Sequence, residues 1–130
     1  MQVETPNLWG LFQHPVAPVW VTDKVALVGD AAHPTLPFLA QGANLALEDA
    51  AVLARQLSLH GMRAGLPRYQ ALRQPRVRRA IAAASANAEN YHLRGPRRTI
   101  AHMGLRALGL VVPDAFIGRM DWLYGYDATA

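Results

Sequence analysis

The chain has 130 residues, is 52% hydrophobic and 17% charged, and carries a formal net charge of +4. That composition supports one small domain with a modest core and excludes a compositionally disordered chain. It has no cysteine, which rules out a disulfide framework or a thiolate metal site and fits a cytoplasmic setting.

Residues 1–20 hold Pro6, Pro15 and Pro18 among scattered aromatics. They read as extended segments and turns, since proline cannot donate to a strand ladder. The segment has no basic region followed by an apolar stretch, so it does not read as a signal peptide. No apolar run in the chain reaches the roughly 18 residues that a membrane span needs. Val25-Ala26-Leu27-Val28 is a short apolar run without alternation, ended by Gly29-Asp30. Such a run predicts a strand buried on both faces, as in a parallel sheet under helices. A loop with Pro34 and Pro37 follows.

The spacing of Ala46, Ala50, Leu53 and Leu57 then predicts a helix over 44–59 with an apolar stripe. Glu48 and Asp49 near its start and Arg55 near its end match the helix dipole. Gly61 and Gly65 are expected to stop it. A second helical region is expected from Pro67 to Leu93, with Val77, Ile81, Ala84 and Ala88 buried and Pro75 kinking or dividing it. Gly95-Pro96 ends that region. Thr99 to Leu110 reads as a third helix. The tail from Val111 onward, with Phe116, Trp122, Tyr124 and Tyr126, is too aromatic to be free and is expected to pack.

Two arginine groups stand out: Arg73, Arg76, Arg78 and Arg79, then Arg94, Arg97 and Arg98. They read as a solvated helix face and helix C-terminal charges. No aromatic residues interleave with them as a stacking platform requires, so no nucleic acid partner is expected. The five histidines lack metal-ligand spacing, so no metal is assigned. His33 reads as a hydrogen-bonding loop residue rather than a catalytic base.

The segment from Val25 to Leu53 carries the chemistry. Gly29 permits close approach of a ligand, and Asp30 follows a strand's C-terminal end, where open α/β sheets bind ligands. Its carboxylate can accept hydrogen bonds from ligand hydroxyls. Gln41-Gly42-Ala43-Asn44 opens the helix, whose first N–H groups lack internal partners and favour an electron-rich group. Gly42 leaves that helix end open.

The run G-D-A-A-H-x-x-x-P-x-x-x-Q-G-x-N-x-x-x-E-D-A, spanning Gly29 to Ala50, resembles the second flavin motif of the para-hydroxybenzoate hydroxylase-like, FAD-dependent monooxygenases. The wording around Ala40-Gln41-Gly42 and Glu48-Asp49-Ala50 is similar to the salicylate-hydroxylase-like subgroup. The resemblance implies an α/β fold class. It would be the C-terminal fragment of an FAD-binding, glutathione-reductase-like Rossmann fold, mainly helical after one buried strand. It implies FAD-binding residues Gly29, Asp30, Pro37, Gly42, Ala43 and Asn44. Asp30 would bind the ribityl chain, and Pro37 would lie beside the reactive edge of the flavin ring. The N–H groups of Ala43 and Asn44 would face its pyrimidine end. No catalytic residue is assigned; Glu48 and Asp49 read as structural.

In that family NAD(P)H is the electron donor, and O2 is used to hydroxylate an aromatic small-molecule substrate. The family's G-x-G-x-x-G turn for the pyrophosphate is not found here, nor is its middle D-G motif. The expected organisation is therefore the end of a substrate-domain sheet segment over 1–20, an FAD-binding strand-loop-helix over 21–60, and a C-terminal helical region over 61–130. A missing N-terminal part, or a homo-oligomer partner, would complete the site. The alternatives are a non-catalytic remnant or interaction module, and a related flavoenzyme such as an epoxidase, halogenase or reductase.

Overall fold

A computed structural model of the protein describes residues 14–37, 40–91 and 120–129, together with residues 10, 12, 95, 96, 98, 99, 103, 104 and 118. The expected third helix and Arg94 and Arg97 fall largely outside the described residues, as does most of the 1–13 segment.

One helical element dominates. Helix α1 spans Gly42–Tyr91 and leaves helical geometry only at Gly61, where φ is 66° and ψ is 176°. That left-handed φ suits a residue without a Cβ. The break folds α1 into an antiparallel hairpin. Arg73 meets Asp49 and Arg76 meets Glu48 across it, at positions placed nearly symmetrically about Gly61. Gly61 therefore stops the first arm as the sequence predicts, but Gly65 does not: it is helical and buried. A Cβ on Gly65 would lie 2.6 Å from the Gln56 carbonyl oxygen, so its missing side chain lets the arms approach. The second arm accordingly resumes right after Gly61 rather than at Pro67. Pro67 and Pro75 keep helical backbone angles, and neither divides the arm. Both are exposed, so the carbonyls left without a proline N–H donor lie toward water.

The buried stripe of the first arm differs from the expected one by one position. Leu45, Asp49, Val52 and Gln56 are buried, whereas Ala50 is exposed and Leu53 and Leu57 are only half-buried. Reading apolar residues alone misses a stripe that contains a carboxylate and an amide. On the second arm Leu66, Tyr69, Arg73, Val77, Ala80 and Ala84 are buried, at helical spacing. Val77 and Ala84 fall where the sequence places them; Ile81 is half-buried and the Ala88 side chain lies outside the described residues.

The extended segment before α1 lies against the second arm. Trp20 is buried, donates its backbone N–H to Gln70 Oε1 at 2.8 Å, and sits 5.9 Å from the Tyr69 ring. Tyr69 donates its hydroxyl to the Leu27 carbonyl at 2.9 Å, and Gln74 donates to the Ala17 carbonyl at 3.0 Å. The predicted two-sided buried strand at 25–28 takes a different form. Val21 and Ala26 make an isolated antiparallel bridge, Leu27 N–H donates to Trp20 O at 2.8 Å, and Val25 and Val28 are exposed. A strand is buried on both faces only when neighbouring strands and helices cover it, and among the described residues only 20–22 pair with this run.

A short helix, α2 (Asp121–Tyr124), returns to the hairpin and buries Leu123. The core joins Trp20, Ala32, Leu45, Val52, Tyr69, Val77, Ala80 and Leu123. The described end of the tail packs through Leu123, whereas of the aromatics expected to pack, Trp122 is half-buried, Tyr124 and Tyr126 are exposed, and Phe116 lies outside the described residues. No helix among the described residues is long and apolar enough to cross a membrane.

Candidate functional site

The Gly29–Ala31 turn is a single 3-10 turn that faces the start of α1. Gly29 has φ +55°, and a Cβ there would lie 3.0 Å from the Ala46 Cβ. Glycine is thus required twice, by the left-handed backbone and by the close approach of the turn to the helix. The turn closes on itself, because Ala32 and His33 both donate backbone N–H to Gly29 O at 2.9 Å. Asp30 is left exposed at its tip.

At the other side, Leu45 N–H donates to Gln41 O at 2.8 Å, the first intrahelical bond of α1. The N–H groups of Gly42, Ala43 and Asn44 precede it and have no carbonyl one turn back inside the helix. A Cβ on Gly42 would stand 3.1 Å from Thr35 Oγ1, so this glycine also keeps the loop close to the helix end. Ala40 reaches α1 with φ 52°, a left-handed conformation that costs a residue with a Cβ about 1–2 kcal/mol.

Between turn and helix lies an open cavity of about 590 Å³, lined by Val28, Gly29, Asp30, Thr35, Pro37, Ala40, Gly42, Ala43 and Ala46. Five of the six residues singled out in the sequence, namely Gly29, Asp30, Pro37, Gly42 and Ala43, therefore share one space. Asn44 does not line it. It faces a cavity of about 360 Å³ with Gln41, Leu47, Glu48, Leu123, Tyr124, Tyr126 and Ala128. The residues present fit the isoalloxazine and ribityl end of a flavin. An exposed carboxylate can accept from hydroxyls, apolar Val28, Pro37 and Ala46 line the same cavity, and the helix start presents N–H groups and partial positive charge.

Beneath the turn is a buried charge network that the sequence reading did not find. Asp49 Oδ2 accepts Gly29 N–H at 3.0 Å and His33 Nε2 at 2.5 Å, while Asp49 Oδ1 accepts Arg73 Nε at 2.7 Å. Glu48 accepts two bonds from Arg76 at 2.7 Å and has Arg73 Nη1 2.7 Å from Oε2. Arg73 and Asp49 are fully buried, and Arg76 is nearly so. This corrects the expectation of a solvated arginine face. Arg78 and Arg79 are exposed, but Arg73 and Arg76 turn inward because carboxylates await them on the other arm. Glu48 and Asp49 are structural, as read, though through these pairs rather than through the helix dipole alone. His33 is the bonded loop residue that the sequence suggests. The signal was present: an acidic doublet and two arginines, placed nearly symmetrically about a helix-breaking glycine.

Burial opposes a charge on Asp49, but the bonds from His33, Arg73 and Gly29 together outweigh it and hold its pKa below the ordinary value. Burial likewise opposes the Arg73 charge, and the Asp49 and Glu48 carboxylates overcome it and raise its pKa. Burial, then the Asp49 charge, pushes the Tyr69 phenol well above its usual range.

These features place the chain in a class: it belongs to the FAD binding domain family, which matches residues 3–84. Among curated relatives it is 40% identical to a 3-amino-4-hydroxybenzoate 2-monooxygenase of Streptomyces platensis, over 97% of this chain and 31% of that protein. It is 35% identical to a salicylate hydroxylase of Pseudomonas putida, over 98% of this chain and 29% of the relative. It is 33% identical to a 3-hydroxybenzoate 6-hydroxylase of Aquipseudomonas alcaligenes, over 92% and 37% respectively. The chain spans about a third of the length of these relatives.

Proposed function

We propose that the chain is the flavin-facing part of an NAD(P)H-dependent monooxygenase that hydroxylates an aromatic compound. The observation that carries this reading is the single cavity shared by Asp30, Pro37, Gly42 and Ala43 at the open start of α1. The names of the relatives, all aromatic-acid hydroxylases or monooxygenases in the three cases above, support the substrate class. Residues 21–60 supply the strand-loop-helix of the cofactor site, and the second arm of α1 with α2 buttresses it. In the Rossmann-type sheet of this proposal, Val25, now exposed, would be covered by a neighbouring strand, while Val28 stays at the cavity. The cytoplasmic setting belongs to the same proposal.

Bound FAD would supply the redox and oxygen chemistry. This chain's residues hold and polarise. The Asp30 carboxylate accepts from ribityl hydroxyls. Pro37 and Val28 pack the ring and keep water from it. The Ala43 N–H at the open start of α1 would meet the pyrimidine end, the part of a reduced flavin that carries negative charge.

The test is visible absorption of the purified 130-residue chain titrated with FAD. It is expected to bind weakly or not at all without a pyrophosphate-binding turn. A stoichiometric, slowly exchanging yellow cofactor would refute that. The protein expressed with any in-frame sequence preceding Met1 is expected to bind FAD and to oxidise NADH or NADPH faster when a hydroxybenzoate is added. No flavin and no substrate-stimulated oxidation in that protein would sink the reading.

A further inference from the structure

We infer that Asp49 is a positioning residue for flavin binding: by clamping Gly29 and His33 to one carboxylate oxygen, it sets the turn that aims Asp30 into the cavity. The inference rests on the flavin reading above. It starts from a coincidence of geometry. Gly29 N–H and His33 Nε2 end on the same atom, Asp49 Oδ2, at 3.0 and 2.5 Å. Asp30, Ala31 and Ala32 are the residues between those two anchors. The three-residue turn therefore hangs from a point on α1, one helical turn past the Gly42–Asn44 start.

The clamp point is itself fixed. Arg73 Nε holds the other carboxylate oxygen at 2.7 Å, and an arginine on an opposed helix arm cannot follow small movements of the turn. One residue thereby ties the distance from the Asp30 carboxylate to the N–H groups of α1. A ligand that meets both at once needs that separation held, because misplacement weakens hydrogen bonds steeply. Glu48 is the natural control. It shares Arg73 and also binds Arg76, but it touches neither Gly29 nor His33.

The experiment uses the protein with any in-frame sequence preceding Met1. It measures FAD dissociation constants by flavin fluorescence, the thermal midpoint, and hydrogen exchange at the Gly29 amide. Asp49→Asn is expected to weaken FAD about tenfold or more, the equivalent of about one lost charge-assisted hydrogen bond, and to speed Gly29 exchange. Glu48→Gln is expected to lower the thermal midpoint while leaving FAD affinity within about threefold. On an Asp30→Ala background, Asp49→Asn is expected to cost little further affinity, since its effect passes through Asp30.

If Asp49→Asn does not fold, His33→Leu carries the same expectation, because it cuts one anchor and leaves the Arg73 pair. Additive losses in the double variant, or equal losses from Glu48→Gln, would overturn the inference and leave Asp49 as a stability residue. Failure of the unaltered protein to bind FAD would overturn the flavin reading instead, and this inference with it.

Discussion

Asp49 keeps its charge in a buried position only because three donors surround it, so acid should act on the fold through it. Its folded pKa lies below the ordinary 3.8. The stabilisation is therefore complete above about pH 4 and is lost as pH falls through the lower folded value. Thermal midpoints measured from pH 6 to pH 2.5 should drop most steeply below about pH 4, and a pH-independent midpoint there would contradict the assignment. Tyr69 behaves in the opposite sense. Its folded pKa is raised, so its contribution is intact below about pH 10 and declines as pH rises beyond that. Tyr69→Phe should remove the bond to Leu27 O at a cost of about 1 kcal/mol. It should also delay alkaline unfolding, which a pH titration followed by circular dichroism would detect. Gly29→Ala should be worse, by roughly 2–3 kcal/mol, because left-handed strain adds to the 3.0 Å contact with Ala46.

The helical hairpin makes two glycines do different things, and substitution separates them. Gly61 has φ +66° and nothing within 4 Å of a hypothetical Cβ, so Gly61→Ala should cost about 1–2 kcal/mol, from backbone conformation alone. Gly65 is helical, where alanine would gain about 1 kcal/mol in propensity. Against that gain stands a backbone oxygen at 2.6 Å, which cannot move without parting the arms. Overpacking of this kind costs about 1–3 kcal/mol and should win. Gly65→Ala is thus expected to destabilise despite improving the local helix, and urea unfolding would read the sign. A gain in stability would mean that the arms are not held as closely as these distances state. The hairpin was only partly legible in the sequence. Apolar periodicity and Gly61 point to two helical arms, but along each arm alone Arg73 and Arg76 read as a solvated face and Glu48 and Asp49 as matching the helix dipole, because their partners lie on the other arm.

Across the whole molecule, the tail is tied to the hairpin by arginines rather than by apolar contact alone. Arg76 donates to the carbonyls of Trp122 and Leu123 at 3.0 Å and stacks 3.7 Å over the Tyr126 ring. Arg79 lies 3.9 Å over the Trp122 ring, and Arg55 donates to Thr129 O at 2.7 Å. Deleting residues 121–130 should expose the Leu123 site and leave Arg76 short of two acceptors, at a total of roughly 3–5 kcal/mol. A lower thermal midpoint and faster proteolysis of the hairpin are the expected outcome; an unchanged midpoint would show that the tail only rests on the surface. The tail also walls the smaller cavity beside Asn44, so the same deletion opens that side of the helix start.

The sequence by itself determined the flavin-type motif, the helical arms and the break at Gly61. Each of these depends on residue identity or on spacing within a few turns, which a linear chain displays. The tertiary structure alone decided that Asp30, Pro37, Gly42 and Ala43 line one cavity while Asn44 faces another. It also decided that Arg73 is buried and that Asp49 holds the turn beneath Asp30. The physical reason is that a buried charge is tolerated only beside its partner. Those partners are brought together by folding the chain at Gly61, so neither the burial nor the clamp could be read from either arm alone.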